Sequence, residues 1–214
     1  MSFREAKVAW LAPGRRRSYI AAMFIETETT PNPSTLKFLP GQAVMTSGTR
    51  EFTNPEEAEA SPLAEAIFDT GEVTNVFFGG DFVSVSIAPG ADWSSLKPQV
   101  VAILLDHFVS QAPLFAGADA SGIAVPAEDD SAIGDDPADA DIVEQIKELI
   151  ETRVRPAVAG DGGDILYRGF RDGVVYLTMH GACSGCPSST ATLKHGIEGL
   201  LKHYVPEVTE VRAA

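Results

Sequence analysis

The chain has 214 residues, of which 44% are hydrophobic and 21% are charged, a composition typical of a globular protein. Its formal net charge of −14 would repel phosphate backbones, so we expect no nucleic-acid partner. No apolar run approaches the roughly 20 residues that span a bilayer, so we expect no membrane partner either. Two cysteines, three positions apart, cannot form a disulfide framework in a chain of this length, which favours an intracellular protein.

Charge and composition divide the chain into four segments. Residues 1–22 are basic and lack periodicity, and we predict a disordered extension there. Residues 23–112 are acidic and patterned like a small α+β domain. Residues 113–138 are rich in Ala, Gly, Pro and Asp, so we predict a flexible acidic linker between two independent domains. Residues 139–214 have the pattern of a second small α+β domain.

Within the N-terminal domain, the pattern predicts strands, a helix, a hairpin and a second helix. Ser61-Pro62 is typical of a helix start, with Ser61 as the N-cap. Gly79-Gly80-Asp81 separates two apolar runs and predicts a β-hairpin with strands at 73–78 and 82–87. Apolar residues then recur at helical spacing, which predicts a helix over about 92–110.

The C-terminal domain is predicted to run helix, strand, strand, helix, strand. The first helix should end near Arg155-Pro156, because a residue before proline disfavours helical geometry. We predict strands at 165–170 and 174–179, a helix over 190–204 and an edge strand at 208–211. The core of so short a domain is small, so a metal or a dimer interface would add useful stability.

The candidate chemistry centres on Cys183-Ser184-Gly185-Cys186, between a predicted strand and a helix that opens near Pro187. Two intervening residues place both sulfurs within reach of one metal centre. The positive end of the helix should favour thiolate, the form that binds metal. Cys183 and Cys186 are therefore the candidate cofactor-binding metal ligands, and we expect no catalytic residue.

A C-x-x-C motif has four interpretations, and the residues alone leave all four open. The first is a buried, inert pair. The second is a dithiol–disulfide oxidoreductase, which needs a thioredoxin-like βαβ pattern, and no parallel crossover is evident. The third is a zinc knuckle, for which His180 has the spacing of a third ligand but a fourth is missing. The fourth is an iron–sulfur cluster, usually held by four cysteine thiolates, which a symmetric dimer of this chain would supply.

Several segments resemble a known family. The C-terminal domain resembles that of NifU, the Nfu domain, at Arg155-Pro156, Asp161-Gly162-Gly163-Asp164 and 181–189. Residues 23–110, which include Thr30-Pro31-Asn32-Pro33, are similar to the N-terminal domain of bacterial and mitochondrial Nfu proteins. The resemblance covers the whole chain except the extension and the linker.

The resemblance implies a non-enzymatic scaffold or carrier that binds a [4Fe-4S] cluster between two subunits through Cys183 and Cys186, with a [2Fe-2S] cluster as the alternative. It implies a cluster-bridged homodimer, apo iron–sulfur proteins as recipients and upstream cluster-assembly machinery as a further partner. The Ala-, Gly- and Asp-rich linker and the short extension favour the bacterial cytoplasm, with the mitochondrial matrix as the compartment in a eukaryote. We expect turn and strand-start roles for Asp161 and Asp164, and a surface position beside the cysteines for His180.

Overall fold

The structure is a computed structural model that describes residues 24–116, 133–184 and 187–214, without the side chains of 187–189. It contains two α+β domains, which confirms the predicted fold class. The predicted extension at 1–22 lies outside the described residues, as do residues 117–132 of the predicted linker.

The N-terminal domain is a five-stranded antiparallel sheet with helices on one face. Its elements are β1 (Glu26–Thr29), β2 (Thr35–Leu39), β3 (Arg50–Phe52), α1 (Pro55–Ala58), α2 (Pro62–Phe68), β4 (Val73–Phe78), β5 (Val83–Ile87) and α3 (Trp93–Ser110). The strand order is β1-β2-β5-β4-β3. The predicted hairpin is confirmed as β4 and β5, and Ser61 caps α2 as predicted, by accepting from the Ala64 N–H.

One face of this sheet forms the core of the N-terminal domain with α2 and α3. The strand residues buried there are Phe38, Phe52, Val76, Phe78, Val83 and Val85. Because strand side chains alternate, the residues between them point to the other face, which we call the second face of the sheet. The second face is the side that meets the C-terminal domain.

Both described ends of the predicted linker pack onto a domain, so the prediction of 113–138 is too long. Phe115 is buried in the core of the N-terminal domain, and Leu114 O accepts from Ser61 Oγ at 2.6 Å. Asp135 accepts from Tyr167 Oη at 2.5 Å and from the Phe170 N–H at 3.0 Å. The composition of the segment did not reveal these contacts, because single residues such as Phe115 and Asp135 form no helical or strand periodicity.

The C-terminal domain follows the predicted order of elements. These are a 3₁₀ turn (Pro137–Asp139), α4 (Ala140–Leu149), a π-helical segment (Ile150–Val154), α5 (Arg155–Gly160), β6 (Gly163–Arg171), β7 (Val174–Gly181), α6 (Pro187–Tyr204) and β8 (Glu210–Ala213). Strands β6 and β7 are antiparallel, whereas β8 pairs parallel to β7. The unit β7-α6-β8 is therefore a parallel crossover, which the sequence analysis missed.

The prediction that the first helix ends near Arg155-Pro156 is wrong. The chain stays helical through the π segment and α5 to Gly160. Pro156 lies in the first turn of α5, directly after the π segment. The Arg155 N–H donates five residues back to Ile150 O, and this wider turn carries the chain past the proline.

The core of the C-terminal domain lies between its sheet and its helices. Its fully buried members include Ile146, Val158, Ile165, Leu177 and Leu201. In the parts of the chain that the structure describes, no helix combines the length and apolar character needed to cross a membrane.

Candidate metal centre

Cys183 lies in the turn after β7, at the open end of the β6–β7 hairpin. The Ala182 N–H donates to Gly162 O at 3.1 Å, and Thr190 Oγ1 donates to Cys183 O at 2.8 Å. The turn is thereby tied both to the residue before β6 and to α6. Cys186 lies outside the described residues, so the approach of its sulfur to that of Cys183 stays a prediction.

The Cys183 side chain is only 5% exposed and packs in the core of the C-terminal domain. Burial, followed by the negative charges of Asp161 and Asp164, raises the pKa of the Cys183 thiol to about 12. Burial and these carboxylates therefore oppose the effect that we predicted for the helix end at Cys183. Metal binding must displace a proton from this thiol and make its sulfur accessible.

The sulfur of Cys183 lies close to the backbone of Gly163. A Cβ added at Gly163 would come within 2.8 Å of Cys183 Sγ and 2.5 Å of His180 O. We expect Gly163→Ala to lower the free energy of unfolding by about 1–3 kcal/mol, because it overpacks a filled site. Urea unfolding measures this, with Gly160→Ala as the control, since a Cβ there meets nothing within 4 Å. Equal stability of the two variants would contradict the close packing.

A buried ion pair supports the strand beside the cysteine. Arg155 donates to the Asp164 carboxylate from Nε at 2.8 Å and from Nη2 at 2.7 Å, and Asp164 is 3% exposed. The hydrogen bond to Asp164 is the main reason that the pKa of Arg155 is raised. Asp164 has the predicted place near the strand start, but its buried pairing with Arg155 was not predicted. Asp161 follows the last residue of α5, in the predicted turn.

Glu51, on β3 of the N-terminal domain, contacts the residues around Cys183. Its carboxylate accepts from the Gly181 N–H at 2.8 Å, from Asn75 Nδ2 at 2.8 Å and from His180 Nδ1. Burial alone would raise the pKa of Glu51, but the hydrogen bonds from His180, Gly181 and Asn75 outweigh it, so the pKa is lowered. His180 is thus partly buried and paired rather than a plain surface residue.

Sequence reasoning missed Glu51 because it is a lone acid in a three-residue strand, 129 positions before His180. No local pattern marks such a residue. Among the side chains that the structure describes, no three His, Cys, Asp or Glu residues are grouped as a metal site.

Two models of protein families match the chain. Residues 25–111 match the N-terminal domain of the scaffold protein Nfu/NifU, and residues 146–212 match the NifU-like domain. The chain is also 50% identical over 200 residues to NifU-like protein 4, mitochondrial, of Arabidopsis thaliana, a match that covers 92% of this chain and 67% of the relative. This chain belongs to the Nfu family.

A second relative of this Nfu chain is the human mitochondrial NFU1 iron-sulfur cluster scaffold homolog. The two are 45% identical over 190 residues, covering 88% of this chain and 71% of the human protein. A solution structure of a NifU-like protein from Saccharomyces cerevisiae is 24% identical, with a TM-score of 0.41, and covers 54% of this chain and 98% of that one. The two family models and the two mitochondrial relatives confirm the family identified from the sequence.

The parallel crossover removes one argument against a dithiol oxidoreductase, because β7, Cys183 and α6 now follow one another as in such enzymes. The microenvironment of Cys183 points the other way. Reactive dithiols have an accessible cysteine with a lowered pKa, whereas Cys183 is buried and its pKa is raised. A redox role therefore gains no support from the geometry.

Proposed function

We propose that this Nfu chain carries a [4Fe-4S] cluster between two copies of itself and transfers it to apo iron–sulfur proteins. The observation that carries the proposal is the family match over 146–212, which includes both cysteines of the chain. Relatives named as iron-sulfur cluster scaffolds support the carrier role. A scaffold holds a cluster as cargo, and we propose no catalytic step.

The number of cysteines supports a shared cluster. Cys183 and Cys186 are the only cysteines of the chain, and a cluster of this type is usually held by four thiolates. Two copies supply four, so the second copy is both a partner and a source of ligands. Loss of the cluster to a recipient would then return the two chains to their apo state.

The partners and the compartment follow from the same proposal. Upstream assembly machinery supplies the cluster, and the acidic N-terminal domain is a surface for protein recipients. Relatives named as mitochondrial support the mitochondrial matrix for a eukaryotic chain, with the bacterial cytoplasm as the alternative.

Anaerobic reconstitution with iron and sulfide tests the proposal. We expect a brown protein with one [4Fe-4S] cluster per two chains, measured as iron, sulfide and light-scattering mass on one sample. A [2Fe-2S] cluster would give half that iron for the same mass. One chain per [4Fe-4S] cluster, without added thiol, would contradict sharing, because ligands other than cysteine would then complete the cluster.

A further inference from the structure

A row of side chains crosses the second face of the N-terminal sheet, and we call it the docking row: Lys37, Ser84, Phe77 and Glu51. The strand register makes each of them the direct cross-strand neighbour of the next. All four point away from the core that α2 and α3 cover. Lys37, Ser84 and Phe77 are nevertheless only 7%, 1% and 1% exposed. The C-terminal domain buries this face.

The docking row meets the open end of the β6–β7 hairpin. Its polar members each bond a main-chain group of the C-terminal domain: Lys37 Nζ donates to Gly160 O at 3.2 Å, Ser84 Oγ donates to Gly162 O at 2.6 Å, and Glu51 accepts from the Gly181 N–H at 2.8 Å. Donors therefore face carbonyls and the acceptor faces an amide, which is the complementarity of an interface.

The aromatic member of the row, Phe77, also lies against the backbone of the C-terminal domain. Gly181 has a φ of +67°, and a Cβ added there would lie 3.0 Å from Phe77 Cδ1. The apolar ring thus lies directly on the backbone that leads into Cys183. Phe77 also contacts Phe82, with ring centroids 5.9 Å apart. Without the C-terminal domain, this aromatic pair would be left on an open sheet face.

The N-terminal domain holds the cysteine loop, residues 180–184, on both sides of Cys183. Before the cysteine, Asn32 Nδ2 donates to Ala182 O at 3.3 Å, and Glu51 bonds the side chain of His180. After it, Ser184 Oγ donates to Glu51 Oε1 at 3.5 Å. The loop therefore cannot move outward without breaking contacts with the other domain.

We propose that the N-terminal domain is a removable cover for the cysteine loop, closed when the chain is empty. The first part of this proposal, closure, stands on the contacts alone. The second part, opening for the cargo, rests on the proposed function. Cys183 is 5% exposed, so its sulfur reaches a cluster only if the loop shifts. A second chain must also bring its own cysteines close to Cys183, and the N-terminal domain lies beside that position.

Closure lowers the apparent rate and affinity of cluster uptake, because only the open fraction of the chain is competent. Opening costs the contacts of the docking row and exposes Phe77 to water. The cover would thereby keep an empty carrier from pairing its cysteines with unrelated metals or thiols. Cluster binding, which is strong, would offset that cost and hold the chain open.

Amide exchange of the full chain tests closure. Glu51→Gln keeps the side-chain size but removes the charge, and Ser84→Lys places a long cation at the centre of the interface. We expect the Gly181 amide to exchange about tenfold faster in Glu51→Gln, because the hydrogen bond that its N–H donates to the residue 51 side chain loses the carboxylate charge. Exchange should be faster still in Ser84→Lys, because that bond is lost when the interface opens. The controls are Glu26→Gln and Gln99→Lys, which make the same charge changes at exposed positions.

Small-angle scattering on the same samples should show a compact apo wild type and a more extended Ser84→Lys chain.

During anaerobic reconstitution, Glu51→Gln and Ser84→Lys should take up iron faster than their controls and reach the same final iron per chain. If the Gly181 amide exchanges as fast in the wild type as in Ser84→Lys, closure is overturned. Equal uptake rates in Ser84→Lys and Gln99→Lys would overturn the role of opening. If no variant and no wild type takes up a cluster, the proposed function fails while amide exchange still decides closure.

Discussion

We expect Cys183→Ala and Cys186→Ala each to abolish cluster binding and to return the chain to the association state of its apo form. Either change leaves two chains with two thiolates for a cluster that usually needs four. The expected protein is soluble and colourless after anaerobic reconstitution, whereas wild type is brown. Iron content and light-scattering mass measure the loss, and Ser184→Ala is the control because it keeps both thiols.

The structure changes which substitution is best at position 183. Cys183 is buried in the core, so Cys183→Ser would bury a hydroxyl at a site built for a thiol. A buried hydroxyl without a partner costs about 1–3 kcal/mol, and lost metal binding could then be confused with unfolding. Alanine leaves no polar group unsatisfied. A Cys183→Ala protein that still binds one cluster per two chains would contradict the ligand assignment.

Arg155→Met should destabilise the C-terminal domain by about 3 kcal/mol, the lower end of the range for breaking a buried ion pair. Asp164 is 3% exposed and would be left as a buried carboxylate without its bidentate partner. The lower end applies because the Arg155 side chain is 28% exposed, so water screens part of the interaction. Urea unfolding, with far-UV circular dichroism as the signal, measures the change.

Two further variants make this prediction specific. Arg212→Met removes an arginine from an exposed pair with Glu210 and should leave the unfolding midpoint unchanged. Adding Asp164→Asn to Arg155→Met should recover part of the lost stability, because it removes the unpaired charge. If Arg155→Met and Arg212→Met unfold at the same urea concentration, the ion pair does not support β6.

Local signals predicted most of the fold. Ser61-Pro62 marks a helix start and Gly79-Gly80-Asp81 marks a hairpin. Each motif sets the conformation of its own backbone, so these predictions needed no information on distant contacts. The motif that makes Cys183 a candidate ligand is equally local, since it spans four residues, and the role of that cysteine stays a prediction. Strand β3 has only three residues, too short for any period to be recognised.

What could not be predicted depends on contacts between distant segments. The two domains were expected to be independent, since each pattern suggested a complete small core. Contact between Glu51 and Gly181 joins residues 130 positions apart, and nothing in either neighbourhood indicates the other. The buried position of Cys183 was also missed, because a C-x-x-C motif in a glycine-rich turn predicts an exposed loop. Both the contact between the domains and the burial of Cys183 depend on tertiary packing.

The segment that precedes α4 has a consequence for solubility. Strand β6 is at the edge of the C-terminal sheet, and an edge strand offers unpaired N–H and C=O groups to any other extended chain. Here the Ile133 N–H donates to Arg168 O at 3.0 Å, and Asp135 accepts from the Phe170 N–H. These bonds occupy the edge that would otherwise recruit strands from other molecules. A short polar segment therefore protects this domain against β-aggregation without adding a strand to its sheet.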